Sequence, residues 1–269
     1  MNKFLVSLES ETYEEDDLLA DFEELRDIVE QIDMSRAFAR QGGLLCMLGF
    51  LQNSSLSESL RSAAANTINT MAQNNAEVQS MAVEKGVLAS LLRILHTSFE
   101  VSSQVSSSDL SDALKSKVLY AISGIIRGHV AAEELFFASR GCELLSRCIQ
   151  SSSTPLVSRS VFLTYALLNS TLTGTDPSLL VSAASRVSQL CGGLLPAGER
   201  LIQSTGDVNT LEFLLRFLLL LTSNAQLGRP ELRRYPNLKS ALVDRFSGPE
   251  VEADSIEAGI ATEVLKAWN

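Results

Sequence analysis

The chain has 269 residues, of which 45% are hydrophobic and 6% aromatic, and its formal net charge is −10. This length can bury a sizeable core, as one helical solenoid or as two small domains. The charge is concentrated at the start, because residues 1–30 hold 11 acidic side chains and two basic ones. Such a segment repels nucleic acid, so we expect no nucleic-acid partner.

No apolar run reaches the length of a membrane span, and the strongest candidate, residues 211–221, is short and contains Arg216. We therefore expect no membrane partner. The first ten residues lack the pattern of a secretory signal. The four cysteines, at positions 46, 142, 148 and 191, show no close metal-binding spacing and are expected to be buried thiols. These features predict a cytoplasmic protein, with the nucleus as a second expected compartment.

From the amino terminus, residues 1–17 are predicted to be an acidic, flexible leader. Residues 18–32 then show apolar side chains at helical spacing, which predicts an amphipathic helix. Asp33 and Ser35 follow and offer helix-capping groups.

The middle of the chain repeats itself. A shift of 54 residues places Leu56 on Leu110 and Leu60 on Leu114, and a shift of 44 places Gly42 on Gly86. A further copy opens at Pro155. A serine-rich insertion at residues 98–109 accounts for the longer step of 54 residues. The other steps of about 42 to 44 residues, each with a short helix, a glycine corner and two longer helices, are typical of armadillo repeats.

After residue 171 the repeat weakens, but four segments still favour helices: residues 176–190, 208–224, 231–246 and 251–268. Prolines and glycines mark the predicted breaks between them, among them Pro196 with Gly198. The predicted fold is all-α, an armadillo-like right-handed α-solenoid of about four repeats with a helical C-terminal cap. It occupies residues 18–269, and residues 98–109 form a serine-rich loop insertion.

No residue pattern supports catalysis. His96 and His129 belong to no common motif, there is no GxSxG elbow, and no phosphate-binding glycine loop is present. Both histidines are predicted to be capping or surface residues, and Cys142 and Cys148 are not spaced as zinc ligands. We expect no enzyme activity, no cofactor and no metal.

The third helix of each armadillo repeat lines the concave face, so equivalent positions form rows across the repeats. Asn66, Tyr120 and Phe162 share one row, and Lys117 shares another with Arg159. A third row holds Gln73, Arg127 and Asn169. Aromatic and basic side chains with amide neighbours favour protein recognition. Alternatively, Tyr120 and Phe162 pack between helices.

Residues 72–95 and 115–141 resemble armadillo-type nucleotide exchange factors of the 70-kDa heat-shock chaperones, and more narrowly the Fes-type group. The resemblance is good over residues 18–169 and extends to residues 176–269 only in helix pattern. It implies that the concave face embraces one lobe of the chaperone's ATPase domain and releases ADP.

The resemblance also implies particular contacts. Arg159 matches a concave arginine of the family, Ser35 matches a small residue after a turn, and Tyr120 and Arg127 match positions in the third helix. The complete predicted partner-binding set is Ser35, Asn66, Gln73, Asn74, Lys117, Tyr120, Arg127, Arg159, Phe162 and Asn169. We predict that the protein is a monomer. Two alternatives remain: a general armadillo adaptor for an extended peptide, and a small-molecule enzyme on a helical scaffold.

Overall fold

The computed structural model describes residues 14–100, 110–173, 180–247 and 255–268, and every regular element in these ranges is a helix. The chain divides into two compact units, which we call the amino-terminal unit (residues 1–139) and the carboxy-terminal unit (residues 140–269). Within the described ranges, no helix combines the length and apolar character needed to cross a membrane.

The described part of the amino-terminal unit contains eight helices, of which the second to fourth and the fifth to seventh form two triplets. The helices are α1 (Glu15–Val29), α2 (Ile32–Arg40), α3 (Gly43–Gln52), α4 (Glu58–Ala72), α5 (Ala76–Glu84), α6 (Val87–Thr97), α7 (Asp112–Ile126) and α8 (Val130–Ala138). The long helices α1, α4 and α7 pack side by side in that order. Their buried faces, with Phe22, Ile68 and Leu119 among the core residues, form the centre of the unit.

Two local features explain why the triplets repeat. Gly42 and Gly86 precede α3 and α6 with φ angles of +93° and +72°, a conformation that glycine adopts without a Cβ penalty. Ser57 and Ser111 cap α4 and α7, since their Oγ atoms accept hydrogen bonds from the third backbone N–H along, at 3.3 and 3.1 Å. The two serines are 54 residues apart, so the repeat read from the sequence is confirmed at the level of helix caps.

The described part of the carboxy-terminal unit contains seven helices. They are α9 (Gly141–Ile149), α10 (Thr154–Thr173), α11 (Leu180–Ser204), α12 (Val208–Ser223), α13 (Gly228–Leu232), α14 (Asn237–Phe246) and α15 (Ile256–Ala267). Helices α10, α12 and α15 pack side by side, and α11 packs against α9 and α14. Helices α10, α12 and α15 therefore form a layer of third helices like that of α1, α4 and α7 in the amino-terminal unit.

The amino-terminal helix differs from its prediction at both ends. It begins at Glu15, so the end of the predicted leader forms its first turn, where Glu15, Asp16 and Asp17 favour the positive end of the helix dipole. It ends at Val29, and extended Gln31 separates it from α2. The predicted capping role of Ser35 is wrong, because this residue lies inside α2.

The predicted break at Pro196 with Gly198 is also wrong, because α11 runs through Pro196 to Ser204. A proline inside a helix clashes with the carbonyl four residues earlier and removes one hydrogen bond. Here that residue is Gly192, which is exposed and has open space around its Cα, and Pro196 is itself exposed. Water can therefore satisfy the Gly192 carbonyl.

The predicted helix at 231–246 is split into α13 and α14 around Pro236, and the last helix begins at Ile256 rather than at residue 251. Proline explains the split, since it disfavours a helical conformation in the residue before it. Most of the predicted leader, residues 1–13, and most of the serine-rich insertion, residues 101–109, lie outside the described residues.

Candidate partner-binding surface

In the amino-terminal unit, five of the predicted contact residues lie on one side of the α4–α7 pair. The two helices approach closely, since a methyl group added at Gly124 would lie 2.5 Å from the Asn69 side-chain oxygen. On the side away from the core, α4 presents half-buried Asn66, and exposed Gln73 follows its last turn. Half-buried Tyr120 on α7 and Arg127 just after it occupy the equivalent positions, and half-buried Lys117 lies one turn before Tyr120. The structure thus brings these five residues to neighbouring helices at matching heights.

The end of this surface is a tight corner. Asn69 Nδ2 donates to Gln73 Oε1 at 3.3 Å, which orients the glutamine at the end of α4. Asn74 is exposed and has a φ of +57°, and Gly128 occupies the equivalent corner after α7 with a φ of +73°. Asparagine tolerates this left-handed conformation better than other residues with a side chain. Asn74 therefore shapes the turn as well as lying on the surface.

Ser35 lies inside the fold, with 1% of its surface exposed. Its Oγ donates to the Met71 carbonyl at 2.8 Å, which fastens α2 to the end of α4. Gln79 does the same in the next triplet, because its Nε2 donates to the carbonyls of Gly124 and Arg127 at 3.0 Å each. Ser35 therefore connects α2 to α4 inside the fold, and it does not belong to the candidate partner-binding surface.

The layer formed by α1, α4 and α7 is electrostatically polarised. Between Glu15 and Glu30, α1 and its C-cap carry eight acidic residues and one basic residue, Arg26. Uncharged Asn66 and Gln73 lie on α4, and the cationic Lys117 and Arg127 lie on or just after α7. A partner on this layer would meet negative potential at one edge and positive potential at the other.

In the carboxy-terminal unit, α10 carries the remaining predicted residues Arg159, Phe162 and Asn169, all of them half-buried. The Phe162 ring meets Phe213 of α12 edge-on, with ring centroids 4.9 Å apart. Tyr165 stacks on the same ring at 5.7 Å. Phe162 therefore packs between helices, as the alternative interpretation had it, and keeps part of its surface in contact with solvent.

Tyr165 and Phe213 are absent from the contact residues predicted from the sequence. Tyr165 lies one turn after Phe162, so it could have been found from helical periodicity. Phe213 lies where the repeat no longer aligns, and only the packing of α12 against α10 shows its place. Partly exposed aromatic clusters of this kind are frequent in protein interfaces.

The histidines and cysteines serve structural purposes. His129 Nδ1 accepts the Ala132 N–H at 3.2 Å and so caps α8, as predicted, while His96 Nε2 lies 3.0 Å from the Ser139 carbonyl oxygen. Burial raises the pKa of Cys142 to about 12 and also raises that of Cys191, so both thiols are protonated at neutral pH. In the described part of the chain, His, Cys, Asp and Glu side chains form no group that could hold a metal ion.

Stacked helical repeats with a mixed polar and aromatic surface on the third helices define a class, the armadillo-type repeat proteins. Solved structures agree. The chain matches the designed armadillo repeat protein YIII(Dq)4CqI with a TM-score of 0.69 and 15% identity, over 99% of each chain. It matches a second, YIII(Dq.V1)4CPAF in complex with the peptide (KR)4, with a TM-score of 0.72 and 15% identity, over 99% of this chain and 98% of that one. The predicted all-α, armadillo-like solenoid is confirmed.

The sequence narrows this class to a family. Residues 34–189 match the SIL1/FES1/HPBP1 C-terminal domain, and the chain belongs to that family. It is 30% identical over 145 residues to Hsp70-binding protein 1 of Homo sapiens and of Rattus norvegicus, which is 54% of this chain and 37% of each relative. The match thus spans a little over a third of the length of these curated relatives.

Proposed function

We propose that this chain is a nucleotide exchange factor that binds the ATPase domain of a 70-kDa heat-shock chaperone and promotes ADP release. The observation that carries the proposal is membership in the SIL1/FES1/HPBP1 family, with relatives named for binding Hsp70. The third-helix surfaces support it, since they combine half-buried aromatic, basic and amide side chains. Tyrosine and arginine are enriched among the residues that contribute most of the binding energy in protein interfaces.

The mechanism is a shift of a conformational equilibrium. An ATPase domain with an open nucleotide cleft holds ADP weakly, and a domain with a closed cleft holds it tightly. A protein that binds the open form more tightly increases its population, by no more than the ratio of its two affinities. The third-helix surfaces would supply this preference by contacting one lobe in its open position.

Individual residues have distinct parts in this proposal. On α10, Arg159 offers a planar guanidinium that can pair with a carboxylate of the chaperone through two hydrogen bonds. On α7, Tyr120 offers an aromatic face and Lys117 a second cation, and Asn66 and Gln73 of the neighbouring α4 offer amides. Phe162, with Tyr165 and Phe213, would provide the apolar part of the contact in the carboxy-terminal unit.

Thermodynamic reciprocity gives a sharp test. If the chain weakens ADP binding by a given factor, ADP must weaken binding of the chain by the same factor. Isothermal titration of the isolated ATPase domain with this chain, with and without saturating ADP, measures that factor directly. We expect tighter binding without ADP. Equal affinities in the two titrations would contradict the exchange mechanism even if the two proteins bind.

The same titration distinguishes nucleotide exchange from the alternative function of a general armadillo adaptor. An adaptor for extended peptides would bind a flexible peptide and would not respond to the nucleotide state of a chaperone. The cytoplasm, with the nucleus second, stays the predicted compartment, and fluorescence microscopy of the tagged chain checks it. The monomeric state also stays a prediction, which light scattering checks.

A further inference from the structure

Thr154, at the start of α10, differs from the other serines and threonines of the chain in the residue that follows it. The chain has six prolines, preceded by Thr154, Asp176, Leu195, Arg229, Tyr235 and Gly248. Thr154 is thus the one serine or threonine that stands directly before a proline. Thr154 and Pro155 are both exposed, and so is Ser152 in the short connection from α9. The hydroxyl is therefore accessible from solvent.

The local backbone allows this segment to open. Thr154 is the first residue of α10, and the first hydrogen bond of the helix runs from the Val157 N–H to the Ser153 carbonyl at 3.0 Å. Pro155 contributes no backbone N–H, and its ring disfavours a helical conformation at Thr154. The first turn of α10 can therefore unwind into the extended form that an enzyme acting on a peptide segment requires.

Beside Thr154 lies a cleft of about 470 Å³ within the carboxy-terminal unit. Its lining is rich in hydroxyl groups and contains one cation, Arg200, and one anion, Asp207. Arg200 is held at the cleft by a hydrogen bond from its Nη2 to the Ile149 carbonyl, at 2.8 Å. A guanidinium carries five N–H donors, so this bond leaves most of its donor capacity for another acceptor.

The acidic group of the cleft is already engaged. Asp207 caps α12 by accepting the Thr210 N–H at 2.8 Å and the Thr210 hydroxyl. Partial burial raises the pKa of Asp207, but the hydrogen bonds that the carboxyl accepts lower it more. The pKa of Asp207 therefore lies below its ordinary value. An anion entering the cleft would be repelled by Asp207 and attracted by Arg200 and by the positive end of α10.

We propose that Thr154 is a phosphorylation site for a proline-directed serine/threonine kinase, and that Arg200 binds the phosphate. In the transfer, Thr154 Oγ forms a bond to the γ-phosphorus of ATP, and the bond from that phosphorus to the β–γ bridging oxygen breaks. ADP leaves with that oxygen, and the hydroxyl proton passes to the base of the kinase. The new dianion at the first position of α10 strengthens the helix start.

The first experiment tests the site. The folded full chain is incubated with a proline-directed kinase and ATP, with a synthetic peptide of residues 148–160 as the control substrate, and incorporation is read by intact mass. We expect one phosphoryl group on the wild type and on Thr154→Ser, and none on Thr154→Val or Pro155→Ala. Phosphorylation of the peptide but not of the folded chain would overturn the proposal, and so would full incorporation by Thr154→Val.

The second experiment tests the role of Arg200. Phosphorylation should raise the melting temperature of the wild type by about 2–4 °C, as expected for one or two new charge-assisted hydrogen bonds. In Arg200→Gln the rise should fall by at least half. Each rise is measured against the same variant without phosphate, so the lost bond to Ile149 cancels. An equal rise in both proteins, or none in the wild type, would contradict the assignment of Arg200.

Discussion

Each unit contains its own layer of long third helices, but the two units differ in charge and in surface chemistry. The amino-terminal unit carries 20 acidic and 10 basic residues, whereas the carboxy-terminal unit carries 12 of each, so the first accounts for the whole net charge of −10. The described third-helix surface is polar and polarised in the first unit and aromatic in the second. One repeat architecture thus provides two chemically different contact surfaces, which predicts different responses to salt and to substitution.

The largest expected effect distinguishes the two surfaces in binding. Arg159→Ala should weaken binding of the chaperone ATPase domain by about 2–5 kcal/mol, thirty-fold or more in affinity, because the partner carboxylate would lose its pair. Tyr120→Ala should weaken binding less, through lost aromatic contact. Titration calorimetry measures both, with the exposed Arg233→Ala as the matched control. Unchanged affinity for Arg159→Ala would remove α10 from the contact surface.

Salt separates the two contributions further. The binding strength contributed by Lys117 and Arg127 should fall as ionic strength rises, because charges near the surface are screened within about 10 Å at 0.1 M salt. Loss of Phe213 should weaken binding by a similar factor at all salt concentrations. Lys117→Ala and Phe213→Ala, titrated at low and high salt, test this. The same salt dependence for both variants would show that the contrast between the surfaces has no consequence for binding.

The next effect concerns packing, and the matched pairs come from glycines. Gly124→Ala in α7 should destabilise the chain by about 1–3 kcal/mol, because the new Cβ meets Asn69 and the core is already filled. Gly49→Ala in α3 meets nothing within 4 Å and should stabilise by about 0.5–1 kcal/mol. Thermal unfolding measures both. Stabilisation by Gly124→Ala would show that α4 and α7 approach less closely than described.

The capping groups of the long helices also differ. Serines cap α4 and α7, whereas Asp207 caps α12 and has a lowered pKa. Stability from this carboxyl is present above its unfolded-state pKa and is lost as the pH falls through its folded-state pKa. Asp207→Ala should cost about 1 kcal/mol at neutral pH and progressively less in acid. Ser255 caps α15 of the same unit by accepting the Ala258 N–H at 3.2 Å, so Ser255→Ala should show a pH-independent loss. Urea unfolding at several pH values compares the two variants.

The smallest effect concerns the corners. Gly42 and Gly86 have positive φ angles before α3 and α6, and Arg140 holds the equivalent position before α9 with a φ of +60°. A residue with a side chain pays about 1–2 kcal/mol for that conformation. Arg140→Gly should therefore raise the melting temperature, although it removes the ion pair of Arg140 with Glu143. Gly86→Ala should lower it, and a lower melting temperature for Arg140→Gly would show that the ion pair outweighs the strain.

The same comparison shows where the sequence sufficed. In the amino-terminal unit the glycine corner recurs after 44 residues and the capping serine after 54, so the helices could be placed from the sequence. In the carboxy-terminal unit one helix, α11, passes through Pro196, and the repeat signal is lost. Local propensity predicted a break there, but Gly192 and Pro196 are exposed, so water can satisfy the Gly192 carbonyl that loses its helical hydrogen bond.

Prediction from the sequence was limited in the same way at the candidate site. Helical periodicity placed Asn66, Lys117 and Tyr120 on an outward side, because burial follows the helical period. It could not show that Ser35 faces inward, since a serine is compatible with either environment. Only the position of the Met71 carbonyl, 36 residues away in the chain, determines that outcome. Likewise, Phe213 joins Phe162 through the packing of two helices that do not align in sequence.

Release of fluorescent ADP from a 70-kDa heat-shock chaperone, followed by stopped flow with and without this chain, tests the proposed function most directly. The proposed exchange mechanism predicts faster release that saturates with the concentration of the chain, and a return towards the intrinsic rate with Arg159→Ala. The Arg233→Ala control should act like the wild type. An ADP release rate that stays at its intrinsic value at saturating concentrations of the wild-type chain would contradict the proposed exchange activity.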